Sequence, residues 1–517
     1  MSTLDCLLPA LAATVHLVWL APLLPLLAAA LIGLHLLARR QTSDAQEPYI
    51  AGLASGAALG VLLLLLVFDL SALGIALPGY LVTGHWLALS SVPVRLSFIV
   101  DSTSLSVATL VALIGWIVLR FSTTYLHREP GYRRYFLAMS LFLCGMLLIV
   151  LGGNLVLVFT GWELCGFSSW VLIGYAWHRP QATANALFAF LTNRIGDAGF
   201  LLGIGLAVWS VGTTEWPGLA GDGSLATVTV RLLVFGLVVA ALAKSAQLPF
   251  SPWIARALEG PTPSSAVFYG SLMIHAGVYL LLRLEPLLVQ VPDIMALIAF
   301  AGLMTAFYGY LCALVQSDVK SALIFSTVTQ VGLMFVACGL GFFGLATWHL
   351  CLHAAWRAYQ FLLAPSYMHL VGQPARAVPL WLAARPWLYT AALQRFWIES
   401  LAHALLTRPT QGLGRDVRLL DEQVIDRVIG VPLEDTPDDA RDPSADDLIR
   451  GHGAAGRLLF QISDTLQRIE THLLLSGGGT LQQHLHHAGE YMEAVERLIA
   501  HPRYLMLMVM ATFVVIL

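Results

Sequence analysis

The sequence predicts an all-α, polytopic transmembrane helix bundle of about twelve spans, and three observations support this. Apolar residues fill 58% of the 517 positions, charged side chains only 11%, and apolar runs long enough for a helix to cross a bilayer, roughly 18 residues or more, recur along the chain. A soluble domain carries about 25% charged residues, so a soluble enzyme, a disordered chain and a fibrous protein are excluded. The net charge of −3 offers no electrostatic basis for binding nucleic acid. Cys6, Cys144, Cys165, Cys312, Cys338 and Cys351 form no CxxC pair. All but Cys6 fall in apolar runs and read as small buried hydrophobes, not as a disulfide framework or an iron–sulfur site.

Spans fall near 15–37, 49–69, 102–121, 135–152, 154–176, 184–211, 228–246, 264–289, 292–315, 322–340, 342–368 and 503–517. The first is too long for a signal h-region and has no basic stretch before it, so it is expected to stay as a span. Arg39 and Arg40, then Arg128, Arg133 and Arg134, then Arg179, Arg256, Arg376 and Arg385 fall on one side of these spans. Loops 70–94 and 212–230 hold no Lys or Arg. The positive-inside rule makes the first side cytoplasmic and puts both termini outside. The chain divides into N-terminal spans with an extracytoplasmic loop (1–94), a core (95–370), a cytoplasmic amphipathic helical region (371–502) and a short C-terminal anchor (503–517).

Charge inside hydrocarbon is costly, so intramembrane ionisable residues are functional candidates. Of the 28 basic residues only Lys244 and Lys320 are lysine, and both lie in or beside apolar runs. A coding bias toward Arg accounts for the composition but not for where the two exceptions sit. Chemistry does, because a desolvated Lys can release its proton and Arg cannot. Glu163 stands in an almost uncharged run with no basic partner at helical spacing, so its partner comes from another helix, or else it sits at a water-exposed helix end.

Lys244 is followed by Pro249 and Pro252, and Pro261 and Pro263 open the next span. Broken helices of this kind free carbonyls and half-helix dipoles inside bundles. His275 lies on that next span, as a proton carrier or as an ordinary hydrogen-bonded core histidine. His349, His353 and Arg357 at i, i+4 and i+8 share one helix face. Two histidines so spaced can bind zinc, but no Glu follows His349, and a proton relay suits the face better. Arg194 and Asp197, at i and i+3, can pair with each other. Asp318 and Lys320 flank the start of a span, as a solvated turn or as a proton-uptake or linking group. His484, His486 and His487 read as a solvated face with at most weak metal affinity.

Taken together, Phe98-Ile-Val-Asp101, Gly161-Trp-Glu163, Asn193-Arg-Ile-Gly-Asp197, Ala243-Lys-Ser-Ala-Gln-Leu-Pro249, Gly260-Pro-Thr-Pro-Ser264, Asp318-Val-Lys320, Ser326-Thr-Val-Thr-Gln-Val-Gly332 and His349-x3-His353 form one ordered set. The set resembles the antiporter-like membrane subunits of respiratory complex I and of multisubunit cation/proton antiporters, from about residue 95 to 365. The resemblance implies a central proton-handling pair at Glu163 and Lys244, continued by buried histidines, in a transporter subunit that is not itself an enzyme and carries no cofactor or metal.

The chain departs from that pattern in places. Relatives usually read Ser-Ala-Leu-Ile-His where Ser265-Ala-Val-Phe-Tyr269 stands, with a histidine instead at His275. They read His-Ala-Phe-Phe-Lys where His353-Ala-Ala-Trp-Arg357 stands. No further broken apolar segment follows residue 370, and Ala402–Pro409 and Leu420–Arg427 resemble the family's C-terminal amphipathic region brought forward. A short form with this layout resembles the membrane subunits of DAB inorganic-carbon accumulation complexes. That resemblance implies a large cytoplasmic zinc partner related to β-carbonic anhydrases, proton (in preference to Na⁺) flow coupled to CO₂ hydration on the partner, and a bacterial inner-membrane location. The other expectations are a complex I or cation/proton antiporter subunit and, in a different class, a non-conducting scaffold.

Overall fold

The computed structural model describes residues 14–38, 44–73, 77–89, 92–219, 227–370 and 378–412. The chain forms two compact units, Met1–His403 and Ala404–Leu517. Only 404–412 of the second is described, and these residues make a single helical stretch. Cys6, Arg39, Arg40, Arg376, the expected span near 503–517, the 371–377 and 413–502 parts of the amphipathic region and the His484, His486 and His487 cluster lie outside the described residues.

Helices dominate. They are α1 Leu20–Ala38, α2 Glu47–Ala72, α3 Ser102–Tyr125, α4 Tyr132–Leu151, α5 Leu155–Ile173, α6 Pro180–Leu206 and α7 Thr227–Lys244. After these come α8 Pro252–Arg256, α9 Ala276–Arg283, α10 Pro292–Leu314, α11 Val319–Gly339, α12 Phe343–Leu370, α13 Pro386–Leu393 and α14 Ile398–Ala402. Among the described residues nine helical stretches are long and apolar enough to cross a membrane. The expected spans near 228–246 and 342–368 form α7, of 18 residues, and α12, of 28.

The all-α expectation missed one feature. Part of the expected extracytoplasmic loop, with the residues up to the third span, is a β-hairpin in which β1 Gly79–Leu89 pairs antiparallel with β2 Val92–Val100. Tyr80, Val82, Thr83, Trp86, Val92 and Val94 supply the aromatic and β-branched side chains that favour a pleated surface. In β2 burial alternates at first and becomes complete from Ser97 to Val100, where the strand runs into the bundle. Asp101 follows at once and caps α3, its carboxylate taking the Ser104 N–H at 2.8 Å while Ser104 Oγ takes the Asp101 N–H at 2.9 Å.

In lipid, helix association depends on close packing, and small residues permit it. A side-chain carbon on Gly145 would meet the Gly161 carbonyl and the reverse, so α4 and α5 touch backbone to backbone. The same reciprocity joins α6 to α7 at Gly199 and Gly236, and α10 to α11 at Gly302 and Gly332. At Gly166 of α5 a side-chain carbon would come within 3.4 Å of both Arg194 Nη2 of α6 and Lys244 Nζ of α7, so the polar residues of the three helices meet there.

Candidate functional site

Glu163 sits on α5, which Asn154 caps by accepting the Leu157 N–H at 2.9 Å. Its partner comes from α6. Arg194 Nη1 donates to Glu163 Oε2 at 2.5 Å, and Arg194 Nη2 lies 2.8 Å from Asp197 Oδ2, so one guanidinium bridges two carboxylates. Trp162 Nε1 donates to Asp197 Oδ1 at 2.9 Å. Lys244, 1% exposed, ends α7. Its ammonium donates to the Trp162 carbonyl at 3.2 Å, lies 5.0 Å from the centre of the Trp162 ring, and stands in the field of Asp197 and Glu163. Among the described residues no carboxylate oxygen comes within 4.0 Å of it. With all four groups charged, two cations balance two anions. Among the described residues Glu163 Oε1, Arg194 Nε and Nη2, and Asp197 Oδ2 are buried without hydrogen-bond partners.

The helix break after Lys244 is pronounced. Ala246 adopts φ 50°, a left-handed backbone, and the chain then passes Pro249 before α8 begins at Pro252. At the break the Ala243 and Ser245 carbonyls each accept a side-chain N–H, and the Ser245 hydroxyl reaches across to the Ile274 carbonyl. Trp253 Nε1 donates to the Ala243 carbonyl at 3.0 Å, Gln247 Nε2 to the Ser245 carbonyl at 2.9 Å, and Ser245 Oγ to the Ile274 carbonyl at 2.7 Å.

That last bond joins the first break to a second one, which sequence reasoning did not anticipate. The span opened by Pro261 and Pro263 runs as a short helix, then a wide π turn over Ala266–Ser271, then a 3₁₀ turn over Met273–His275 before α9. His275 lies at this junction, 3% exposed. Gly277 presses against the Ala241 carbonyl and Ser245 Oγ of the first break. Tyr269 is buried nearby against Trp253, its hydroxyl without a hydrogen-bond partner.

A second cluster forms across α9, α11 and α12. His275 Nε2 and His353 Nδ1 are 3.0 Å apart. Arg357 Nε donates to His353 Nε2 at 3.2 Å, and its Nη2 to Ser326 Oγ at 2.7 Å. His349 bonds Gln330 Oε1 at 2.9 Å, with its ring 6.0 Å from that of His353. Nearer the start of α11, Lys320 Nζ donates to Thr262 Oγ1 at 2.5 Å, and Thr262 also meets the Tyr125 hydroxyl at 3.0 Å. Asp318 caps α11 through the Ser321 N–H at 2.8 Å. At the hairpin end, Arg283 holds Asp101 by two hydrogen bonds, of 2.6 and 2.9 Å.

The structure therefore gathers Glu163, Arg194, Asp197 and Lys244 into one group and His275, His349, His353 and Arg357 into another. Lys320 and Asp318 sit at one end and Asp101 at the other. Sequence reasoning missed Trp162, Gln330, Ser326 and the Arg283–Tyr279 pair. It also missed Glu215, which takes hydrogen bonds from Tyr80 at 2.7 Å and Ser97 at 2.5 Å and so ties the hairpin down. Burial, with Glu215 beside it, pushes the Tyr80 phenol up to about 12 and keeps it a donor. Ser326 and Gln330 are i, i+4 on α11, and that spacing would have flagged them only once α11 was known to face α12. Among the described residues no group of three or more His, Cys, Asp or Glu side chains could hold a metal ion.

Residues 152–377, which span both clusters, match the family model described as NADH:quinone oxidoreductase/Mrp antiporter, TM. Residues 86–136, which include Asp101, match that of the complex I chain 5 N-terminus. The chain belongs to the antiporter-like membrane subunit family of complex I. This antiporter-like subunit is 38% identical over 363 residues to the chloroplastic NAD(P)H-quinone oxidoreductase subunit 5 of Nephroselmis olivacea, covering 68% of the chain and 55% of the relative. To NAD(P)H-quinone oxidoreductase chain 5 of Synechocystis sp. it is 34% identical over 375 residues, covering 68% and 53%. It thus spans about half the length of the curated relatives it matches. A chain of the Mrp complex from Dietzia sp. superposes with a TM-score of 0.60 at 29% identity, over 70% of this subunit and 38% of that chain. A chain of an archaeal membrane-bound sulfane sulfur reductase shares the fold, with a TM-score of 0.60 at 19% identity over 76% and 82%.

Proposed function

We propose that this subunit translocates protons within a multisubunit membrane complex of the complex I or Mrp type. The observation that carries this reading is the charge-balanced group of Glu163, Arg194, Asp197 and Lys244, joined at the paired helix breaks to the His275–His353–Arg357 group. Carboxylate, ammonium and imidazole are all groups that can exchange protons, and Glu163 keeps an unpartnered oxygen. Protons are favoured over Na⁺ because the Ala243 and Ser245 carbonyls at the first break, of the kind that unwound helices elsewhere offer to Na⁺, accept from Trp253 and Gln247. The subunit carries no cofactor, and redox or hydration chemistry belongs to its partners. The loops rich in Arg face the cytoplasm of a bacterial inner membrane, with both termini outside.

A second reading concerns the partner. Ser265-Ala-Val-Phe-Tyr269 and His353-Ala-Ala-Trp-Arg357 depart from the family pattern that the sequence resembles, with a histidine instead at His275. These departures favour an inorganic-carbon uptake complex in which proton flow drives vectorial CO₂ hydration on a large zinc protein related to β-carbonic anhydrases. The test is to purify the intact complex, identify the partners, measure zinc, and follow ΔpH-driven proton uptake in vesicles. A zinc-loaded partner with growth dependent on the complex at low CO₂ supports the second reading. Redox or antiporter subunits support the first alone. An assembled complex whose vesicles pass no proton refutes both.

A further inference from the structure

Lys244 and Asp197 are the most deeply buried charged groups of the first cluster, and both make contact with Trp162, which is itself fully buried. The indole N–H donates to Asp197 Oδ1 at 2.9 Å. This is the one hydrogen bond the Asp197 carboxylate receives among the described residues, because Oδ2 lies beside Arg194 without the geometry of a bond. The Trp162 carbonyl accepts the Lys244 ammonium at 3.2 Å, and the ring centre lies 5.0 Å from the same nitrogen, a cation–π contact. That carbonyl already closes the helical bond with the Gly166 N–H, and the ammonium reaches it because Gly166 has no side chain. A carbon there would come 3.4 Å from Lys244 Nζ.

Trp162 is itself held firmly. Gly161 before it is pressed on the α4 backbone, and Phe200 of α6 packs edge-on against the indole with ring centres 5.4 Å apart. The charged and titratable groups that act on the ammonium are Asp197 and Arg194 of α6 and Glu163 and Cys165 of α5. A buried carboxylate with spare acceptor sites attracts an ammonium, which carries three donors. Even so, among the described residues no carboxylate oxygen lies within 4.0 Å of Lys244. Neutral groups hold the ammonium instead, and a close ion pair would bind its proton more strongly than they do.

We propose that Trp162 is a positioning residue that keeps Lys244 out of an ion pair with Asp197, its N–H occupying the carboxylate while its carbonyl and ring hold the ammonium. Trp162 exchanges no proton itself, since an indole N–H only donates. The separation leaves Lys244 free to give up and regain its proton; that consequence rests on the proton-translocation reading, whereas the separation does not. Without the indole N–H, Asp197 is a buried carboxylate with no hydrogen bond, a costly state. Arg194 is already committed to Glu163, so the Lys244 ammonium is the donor that relieves it.

The test is Trp162→Phe in the purified complex, which keeps a ring face and the backbone carbonyl and removes only the N–H donor. Side-chain positions are read by cryo-microscopy, assembly by co-purification, and proton uptake in vesicles across a pH series. We expect an Asp197 oxygen within 4.0 Å of Lys244 Nζ in the variant and not in wild type. We also expect the uptake profile to move alkaline by about one pH unit, with uptake about tenfold lower on the acid side of the wild-type optimum, because a paired ammonium releases its proton less readily. Adding Asp197→Asn removes the capturing carboxylate and should return the profile toward wild type. Uptake lowered equally at every pH, with the profile unshifted, makes Trp162 a packing residue and overturns the proposal. So does an Asp197 that turns to Arg194 while Lys244 stays on the carbonyl. If Trp162→Phe does not assemble, wild-type maps across the pH series decide. Lys244 on the Trp162 carbonyl throughout upholds the separation, and a direct Lys244–Asp197 pair overturns it. A wild type that passes no proton refutes the proposed function, and the separation is then judged from the maps alone.

Discussion

Lys244 is the residue at which charge and switching can be told apart. Its ammonium is held by the Trp162 carbonyl and ring, in the field of Asp197 and Glu163, and not by a direct ion pair. Lys244→Met leaves two carboxylates facing one guanidinium and should abolish proton uptake. Lys244→Arg keeps the charge but cannot release a proton, so it should fail nearly as badly in an assembled complex. Wild-type uptake by Lys244→Arg in vesicles would make the lysine a counter-ion only. Asp101 offers a different test. Burial alone would raise its carboxyl, but the Arg283 hydrogen bonds and charge, with the Ser104 N–H, outweigh this and hold it below the ordinary carboxylate value. A group depressed in the native state contributes stability above its unfolded pKa of about 3.9 and loses it as pH falls through the native value. Asp101→Asn should therefore lower the thermal midpoint in detergent at neutral pH, and the gap to wild type should close as pH falls below about 3.9.

Among the elements, the helix crossings explain why the polar groups meet. Gly161 lies two residues before Glu163, and the α4 backbone at Gly145 leaves no space for a side-chain carbon there. Gly161→Ala should cost about 1–3 kcal/mol through overpacking. It should also shift Glu163 away from Arg194. Gly56→Ala on α2 is the control, because a carbon there meets nothing within 4 Å; thermal midpoints of the two variants, with proton uptake for Gly161→Ala, check the claim. A second brace holds the first break. Arg256, at the end of α8, is paired with Glu399 at 2.7 Å, and Glu399 also takes Arg395 at 2.9 Å. Arg395, Phe396 and Trp397 all adopt left-handed φ, between 50° and 56°, a costly backbone for residues with side chains that the surrounding packing must hold. Phe396 packs on Tyr308 of α10, and Arg395 lies over the Phe325 ring of α11. Residues just beyond the expected core thus contact the segment that follows Lys244. Composition in 378–403 had suggested only amphipathic helices, because a left-handed turn of ordinary residues has no sequence signature.

For the whole molecule, the apolar faces expected in the amphipathic region need something to cover them, and residues 430–500 offer no span of their own. Deleting 430–500 should release the partner on purification while leaving the membrane core inserted; an intact complex after the deletion would count against a docking role. The sequence by itself determined that this is a membrane bundle, where most spans run, and which few ionisable residues lie within them. Hydropathy and helical spacing are local properties, and a charge inside an apolar run stands out without any structure. Spacing along one helix likewise aligned His349, His353 and Arg357. Only the tertiary structure decided the pairings. Glu163 takes Arg194 while Lys244 takes a backbone carbonyl, and His275 meets His353 across 78 positions of sequence. It also decided that the span with His275 breaks a second time and that a hairpin, tied by Glu215, precedes the core. Partners on different helices are chosen by which backbones can approach, and that depends on crossings at glycines far apart in the chain, whose meeting no local pattern encodes.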